Sequence, residues 1–136
     1  MSHFVLIHGA WHGGWCWNKV IPFLEERGHT VAAPDLPLEQ PFEAYVDTAL
    51  AAIDEASGPV ILVGHSLGGV VITQVAERVP QKIERLVYVT AFAFNPDGSD
   101  TFPALAGANV ASALRGNMDF IDGGKLAVMK PDVIPG

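Results

Sequence analysis

One stretch decides most of what this chain can fold into: Val60-Ile61-Leu62-Val63-Gly64-His65-Ser66-Leu67-Gly68-Gly69-Val70-Val71-Ile72. Four apolar, mostly β-branched residues predict a short buried strand. Gly64-His65-Ser66-Leu67-Gly68 then fills the pattern Gly-x-Ser-x-Gly, and an apolar, helix-compatible run follows. Strand, sharp turn and helix form the context in which such a serine sits on an elbow, its hydroxyl raised above the carboxyl edge of a sheet. The glycines two before and two after Ser66 let strand and helix approach without Cβ clashes. The helix start behind the serine offers the N–H of Leu67, and a positive dipole end, to a developing oxyanion.

The 136 residues, 49% hydrophobic and 17% charged, suit one globular domain with a real core. A net charge of −7, from 8 basic and 15 acidic residues with no run of Lys or Arg, argues against nucleic acid or an anionic membrane as partner. Cys16 is the one cysteine, so no internal disulfide framework exists, and a reducing, cytoplasmic location is the expectation. Met1-Ser2-His3-Phe4 carries no positively charged leader, so the apolar run after it reads as a strand and not a signal peptide. No stretch approaches the length of a membrane span.

In chain order, Phe4-Val5-Leu6-Ile7 predicts a first buried strand, followed by the loop His8-Gly9-Ala10-Trp11-His12-Gly13-Gly14-Trp15. This Gly-rich loop does not fit Gly-x-Gly-x-x-Gly, and no Gly-Lys-Ser/Thr follows, so no nucleotide cofactor is expected. Its better use is to bring the main-chain N–H of Ala10 across from the elbow as a second oxyanion donor beside that of Leu67. A helix is predicted from Asn18 to Arg27, with Gly28 as its stop, then a strand from Thr30 running into a Pro-rich loop. Pro41 opens a helix with Phe42, Tyr45, Val46, Ala49, Leu50 and Ile53 on one stripe. After the elbow the helix runs to Pro80, and Arg85–Thr90 forms a fourth strand. The expected fold class is therefore α/β, a parallel sheet flanked by helices, with the site outside the carboxyl ends of the strands. Residues 1–98 read as this core. Residues 99–136, rich in Ala and Gly, read as short helices of a partial cap.

His8-Gly9-Ala10-Trp11-His12-Gly13-Gly14-Trp15 together with Gly64-His65-Ser66-Leu67-Gly68-Gly69 resembles the α/β-hydrolase superfamily. The resemblance is to the branch of plant methyl-ester hydrolases, hydroxynitrile lyases and bacterial esterase relatives. Pro80-Gln81-Lys82-Ile83 and Ala91-Phe92 look like that branch too. The likeness covers residues 3 to about 98. It implies Ser66 as nucleophile, the N–H groups of Ala10 and Leu67 as oxyanion hole, a helical cap starting after Asp97, and a sheet truncated after about four strands. His8-Gly9-Ala10 and the elbow look like the esterase version, which favours hydrolysis of a small-molecule ester over cyanohydrin cleavage; cyanohydrin lyase or acyl transferase activity on the same architecture is separated only by substrate assays.

In this fold the triad comes in the order Ser, acid, His. All five histidines, His3, His8, His12, His29 and His65, lie at or before the elbow, so the usual base is missing downstream of Ser66. Asp97, in the turn Asn95-Pro96-Asp97-Gly98, is a candidate for the acid. His8 and His12 suit hydrogen bonds that fix the oxyanion loop, and Asp35 suits a hydrogen bond in its own loop. Cys16 suits packing. Trp11 belongs beside substrate, and His65 on the same pocket wall as a packing residue. No His or Cys pair has metal-ligand spacing, so no metal is expected. A largely apolar surround suggests an aromatic or medium aliphatic ester. The competing expectation is a non-catalytic binding or assembly module, in which the sheet edge at Arg85–Thr90 pairs with a second copy or a complementing chain.

Overall fold

The structure is a computed structural model that describes residues 1–93, 118–121 and 126–129. It divides into two compact units, Met1–Ala93 and Phe94–Gly136. In the first unit β1 (His3–Ile7) leads through a 3₁₀ turn (Gly14–Trp17) to α1 (Ile21–Glu26) and β2 (Thr30–Ala32). Then come α2 (Phe42–Asp54), β3 (Val60–His65), α3 (Gly68–Arg78), a second 3₁₀ turn (Pro80–Lys82) and β4 (Ile83–Val89).

All four strands are parallel, in the order β2-β1-β3-β4. The apolar runs of β1 and β3 bury side chains on both faces, as a sheet covered on both sides requires. Val5, Ile7, Val60 and Leu62 point into one cluster with Val46, Ala49 and Ile53 of α2 and Val71, Ile72 and Val75 of α3. Leu6 and Val63, on the opposite face, pack with Trp17 and with Ile21 and Leu24 of α1. The expected α/β class with helices on both faces is what the chain adopts. The chain leaves β1 toward β2 and returns to place β3 on the other side of β1. The loops after β1 and β3 therefore diverge from adjacent strand ends, the crevice in which open α/β sheets carry their sites.

Element boundaries differ from expectation where local chemistry intervenes. The first helix starts at Ile21 rather than Asn18, because Pro22, which has no N–H to donate, fits only its first turn. Residues Gly14–Trp17 form a 3₁₀ turn instead, closed by the N–H of Asn18 on the carbonyl of Trp15. The fourth strand starts at Ile83 and ends at Val89, since Thr90 adopts φ 41 and leaves the extended region.

In the second unit β5 (Met118–Ile121) pairs antiparallel with β6 (Leu126–Met129). The expectation of short helices is corrected over these eight positions. Two short apolar runs separated by residues that include Gly123-Gly124 carry a strand-pair signal that the surrounding Ala-rich composition outweighs. Asp97 and the boundary expected at residue 98 lie outside the described residues. No helix among the described residues is long and apolar enough to cross a membrane.

Candidate active site

Ser66 sits between β3 and α3 with φ 52, a left-handed conformation that a non-glycine residue occupies only when its surroundings impose it. Those surroundings are backbone. The N–H of Ser66 donates to the carbonyl of Val89 (3.4 Å), and its own carbonyl accepts from Gly69 (3.0 Å) and Phe92 (3.3 Å). A Cβ at Gly64 would stand 2.6 Å from the carbonyl oxygen of Gly68, and one at Gly68 would stand 2.5 Å from that of Ile7. The two glycines of Gly-x-Ser-x-Gly are thus required by close approach, as the pattern predicts. Gly69 is equally tight, since a Cβ there would lie 2.5 Å from the carbonyl oxygen of Phe92.

The loop after β1 lies directly on this elbow. A Cβ at Gly9 would be 3.0 Å from the Cβ of Ser66. Two residues hold the loop from behind, one at each end, and both use the segment after β2. At the start, His8 is fully buried, accepts the N–H of Leu36 at Nε2 (2.9 Å) and donates from Nδ1 to the carbonyl of Gly9 (2.7 Å). At the end, the N–H of Gly14 donates to Oδ1 of Asp35 (2.7 Å). Between them, His12 donates from Nδ1 to the carbonyl of Ala10 (2.8 Å), and Trp11 takes φ 59. His8 and His12 thus fix the loop as expected from the sequence, whereas Asp35 hydrogen-bonds not within its own loop but across to Gly14 in the loop after β1. Among the described residues, no acceptor is paired with the main-chain N–H of Ala10 or of Leu67.

Aromatic contacts surround the elbow. His12 stacks on Trp15 (5.4 Å between centroids, 24°) and meets His65 edge-on (5.8 Å, 82°), and His65 meets Trp17 edge-on (6.5 Å, 89°). Burial holds the His65 imidazole below its ordinary range. Trp11 is 39% exposed, whereas Trp17 is core. Cys16 packs beside Trp17, and burial pushes its thiol up. Among the described residues the hydroxyl of Ser66 has no hydrogen-bond partner, and no group of three or more His, Cys, Asp or Glu could hold a metal ion. Both ring nitrogens of His8 are occupied, and Nδ1 of His12 is bound to its own loop, so neither contact serves Ser66.

A parallel sheet of this order, with a serine turn packed on a Gly-rich loop, defines an α/β-hydrolase-like fold, and comparison with known proteins gives the family. Residues 4–135 match the alpha/beta hydrolase family, and the chain belongs to it. It is 43% identical over 116 residues to the carbendazim hydrolyzing esterase of Nocardioides sp., covering 77% of this chain and 47% of that protein. It is also 43% identical over 107 residues to methyl jasmonate esterase 1 of Vitis vinifera, covering 70% of this chain and 41% of that protein. Among solved structures, a pyrethroid hydrolase superposes with a TM-score of 0.84 at 28% identity over 97% of this chain and 58% of its own. Polyneuridine aldehyde esterase gives 0.78 at 30% identity over 88% and 52%. The chain therefore spans under half the length of these two curated relatives.

Proposed function

We propose that this chain carries the nucleophile and oxyanion hole of a carboxylic-ester hydrolase acting on small-molecule esters. The observation that carries the reading is the strained Ser66 with the Gly9–Ala10 segment packed against it. Ser66 Oγ attacks the ester carbonyl, and the N–H groups of Ala10 and Leu67 receive the negative charge that develops on its oxygen. A general base takes the hydroxyl proton and returns it to the departing alcohol. Water then attacks the acyl-serine, releasing the acid and regenerating Ser66. No histidine follows Ser66 in the 136 residues. The base is accordingly assigned to the part of the relatives' length that this chain does not span or to a second polypeptide, and the acid either there or to Asp97. One relative's name specifies a methyl ester. The exposed Trp11 beside the elbow suits an uncharged aromatic or medium aliphatic acyl group.

The test is hydrolysis of a panel of methyl and aryl esters by the protein as its source makes it, against Ser66→Ala. Serine-dependent turnover of uncharged esters supports the reading; turnover unaffected by Ser66→Ala, or confined to highly charged esters, counts against it. A second reading, a binding or assembly module, draws on β4. Among the described residues it pairs on one side only, and Val87, Tyr88 and Val89 are partly exposed. A concentration-dependent mass in solution without serine-dependent turnover would favour it.

A further inference from the structure

We propose that His8 is a positioning residue for catalysis: through its Nδ1–H on the Gly9 carbonyl it aims the N–H of Ala10 at the oxyanion. The inference rests on the ester-hydrolase reading above. The peptide unit that ends in the N–H of Ala10 begins with the carbonyl of Gly9. In a planar trans peptide the two point in opposite directions, so tethering the oxygen fixes where the hydrogen points. Gly9, lacking a Cβ, would otherwise leave that plane free to rotate.

His8 is suited to the task by its own restraint. A carbonyl only accepts, so Nδ1 must carry the proton; the N–H of Leu36 only donates, so Nε2 must be bare. The partners thus select one neutral tautomer, and with the ring fully buried it has no room to swing. A hydrogen bond on the Gly9 oxygen also polarises the shared peptide and makes the Ala10 N–H a better donor. The clamp belongs to the rigid sheet, because Leu36 is itself packed in the core beside β1. His12 holds the next peptide by its oxygen in the same way, so that two consecutive carbonyls of the loop are tied down.

Two substitutions separate this role from simple packing. Asparagine places its amide nitrogen near the position of Nδ1 and keeps a donor for Gly9; glutamine reaches the position of Nε2 and keeps only the partner for Leu36. In the protein as its source makes it, the Ala10 amide resonance and the rate of fluorophosphonate addition to Ser66 are compared for wild type, His8→Asn and His8→Gln, beside their urea midpoints. His8→Gln should shift the Ala10 resonance and slow addition about tenfold or more, part of the ~10²–10³ that one oxyanion donor is worth. His8→Asn, which loses the Leu36 partner and so lowers the urea midpoint, should still leave both closer to wild type than His8→Gln does. Equal losses in the two variants, or slowing in His8→Gln with the Ala10 resonance unmoved, would overturn the proposal. Should wild type take no label at Ser66, the hydrolase reading fails, and the Ala10 resonance alone decides whether His8 orients this peptide. The wild-type ring needs no variant: nitrogen resonances with Nδ1 protonated and Nε2 bare uphold the tether, and the opposite tautomer refutes it.

Discussion

Gly9 stands so close to Ser66 that a methyl group on it would lie 3.0 Å from the serine Cβ and 3.2 Å from both Nδ1 and the carbonyl oxygen of His65. The loop after β1 and the turn after β3 are in effect one surface, and the chemistry assigned to Ser66 depends on that contact. Gly9→Ala must push the serine or the loop aside by a few tenths of an ångström. The expected result is a destabilisation of about 1–2 kcal/mol, in the range for mild overpacking, together with a loss of Ser66 reactivity larger than that cost explains. Urea denaturation and serine-labelling rates, measured on the same preparation, compare the two.

The elbow glycines should be far less forgiving. At Gly64 and Gly68 the atoms that an added Cβ would meet are backbone oxygens, at 2.6 and 2.5 Å, which cannot rotate away. Each alanine substitution should cost about 3 kcal/mol or more, the upper end of overpacking. Gly58 provides the control, because a Cβ there meets nothing within 4 Å. Gly58→Ala should stay within about 0.5 kcal/mol of the parent. Similar denaturation midpoints for all three variants would contradict the packing described for the elbow.

His65 links the site to pH. Burial lowers its folded value below the ordinary 6.5, so over the interval between the two the unfolded chain binds the proton first. Stability is complete above 6.5 and falls as pH drops from there through the folded value. Denaturation midpoints on either side of that pH should show the decline, and His65→Gln should remove its share. A rise in stability on acidification, traced to His65, would refute the assignment.

A second pH effect belongs to the surface pair that joins α2 to α3. The guanidinium of Arg78 donates to both carboxylate oxygens of Glu43, at 2.5 and 2.9 Å, and these bonds hold the Glu43 carboxyl below 4.5. The contribution is present above 4.5 and disappears as pH falls through the folded value. Because both side chains are exposed, it should be small and should weaken with added salt. Comparing Glu43→Gln with the parent at low and high ionic strength tests this. A difference that survives high salt would contradict a screened surface pair.

The parallel sheet and the elbow were legible because their signals are local. Continuous apolar runs mark β1 and β3, and Gly64, Ser66 and Gly68 stand at a spacing that only close backbone approach demands. The grip of His8 on Leu36 was not legible, since 28 residues separate the partners and no periodicity connects them. Nor was the start of α1, where Pro22 decides between helix and 3₁₀ turn over a few residues. The β5–β6 pair shows a different failure: composition averaged over 38 residues hid two four-residue strands. For Ser66 the sequence marked the strand–turn–helix, while the packing that strains the turn comes from Val89 and Phe92, beyond the motif.

The most direct test of the central claim is an intact mass spectrum of the protein as its source makes it, with and without a fluorophosphonate, followed by peptide mapping. The account predicts a single adduct, on Ser66, absent from Ser66→Ala. It also predicts that the isolated 136 residues react orders of magnitude more slowly, since the oxyanion donors alone leave about 10³–10⁴-fold over water. No adduct on the source protein, or an adduct on any other residue, would contradict it.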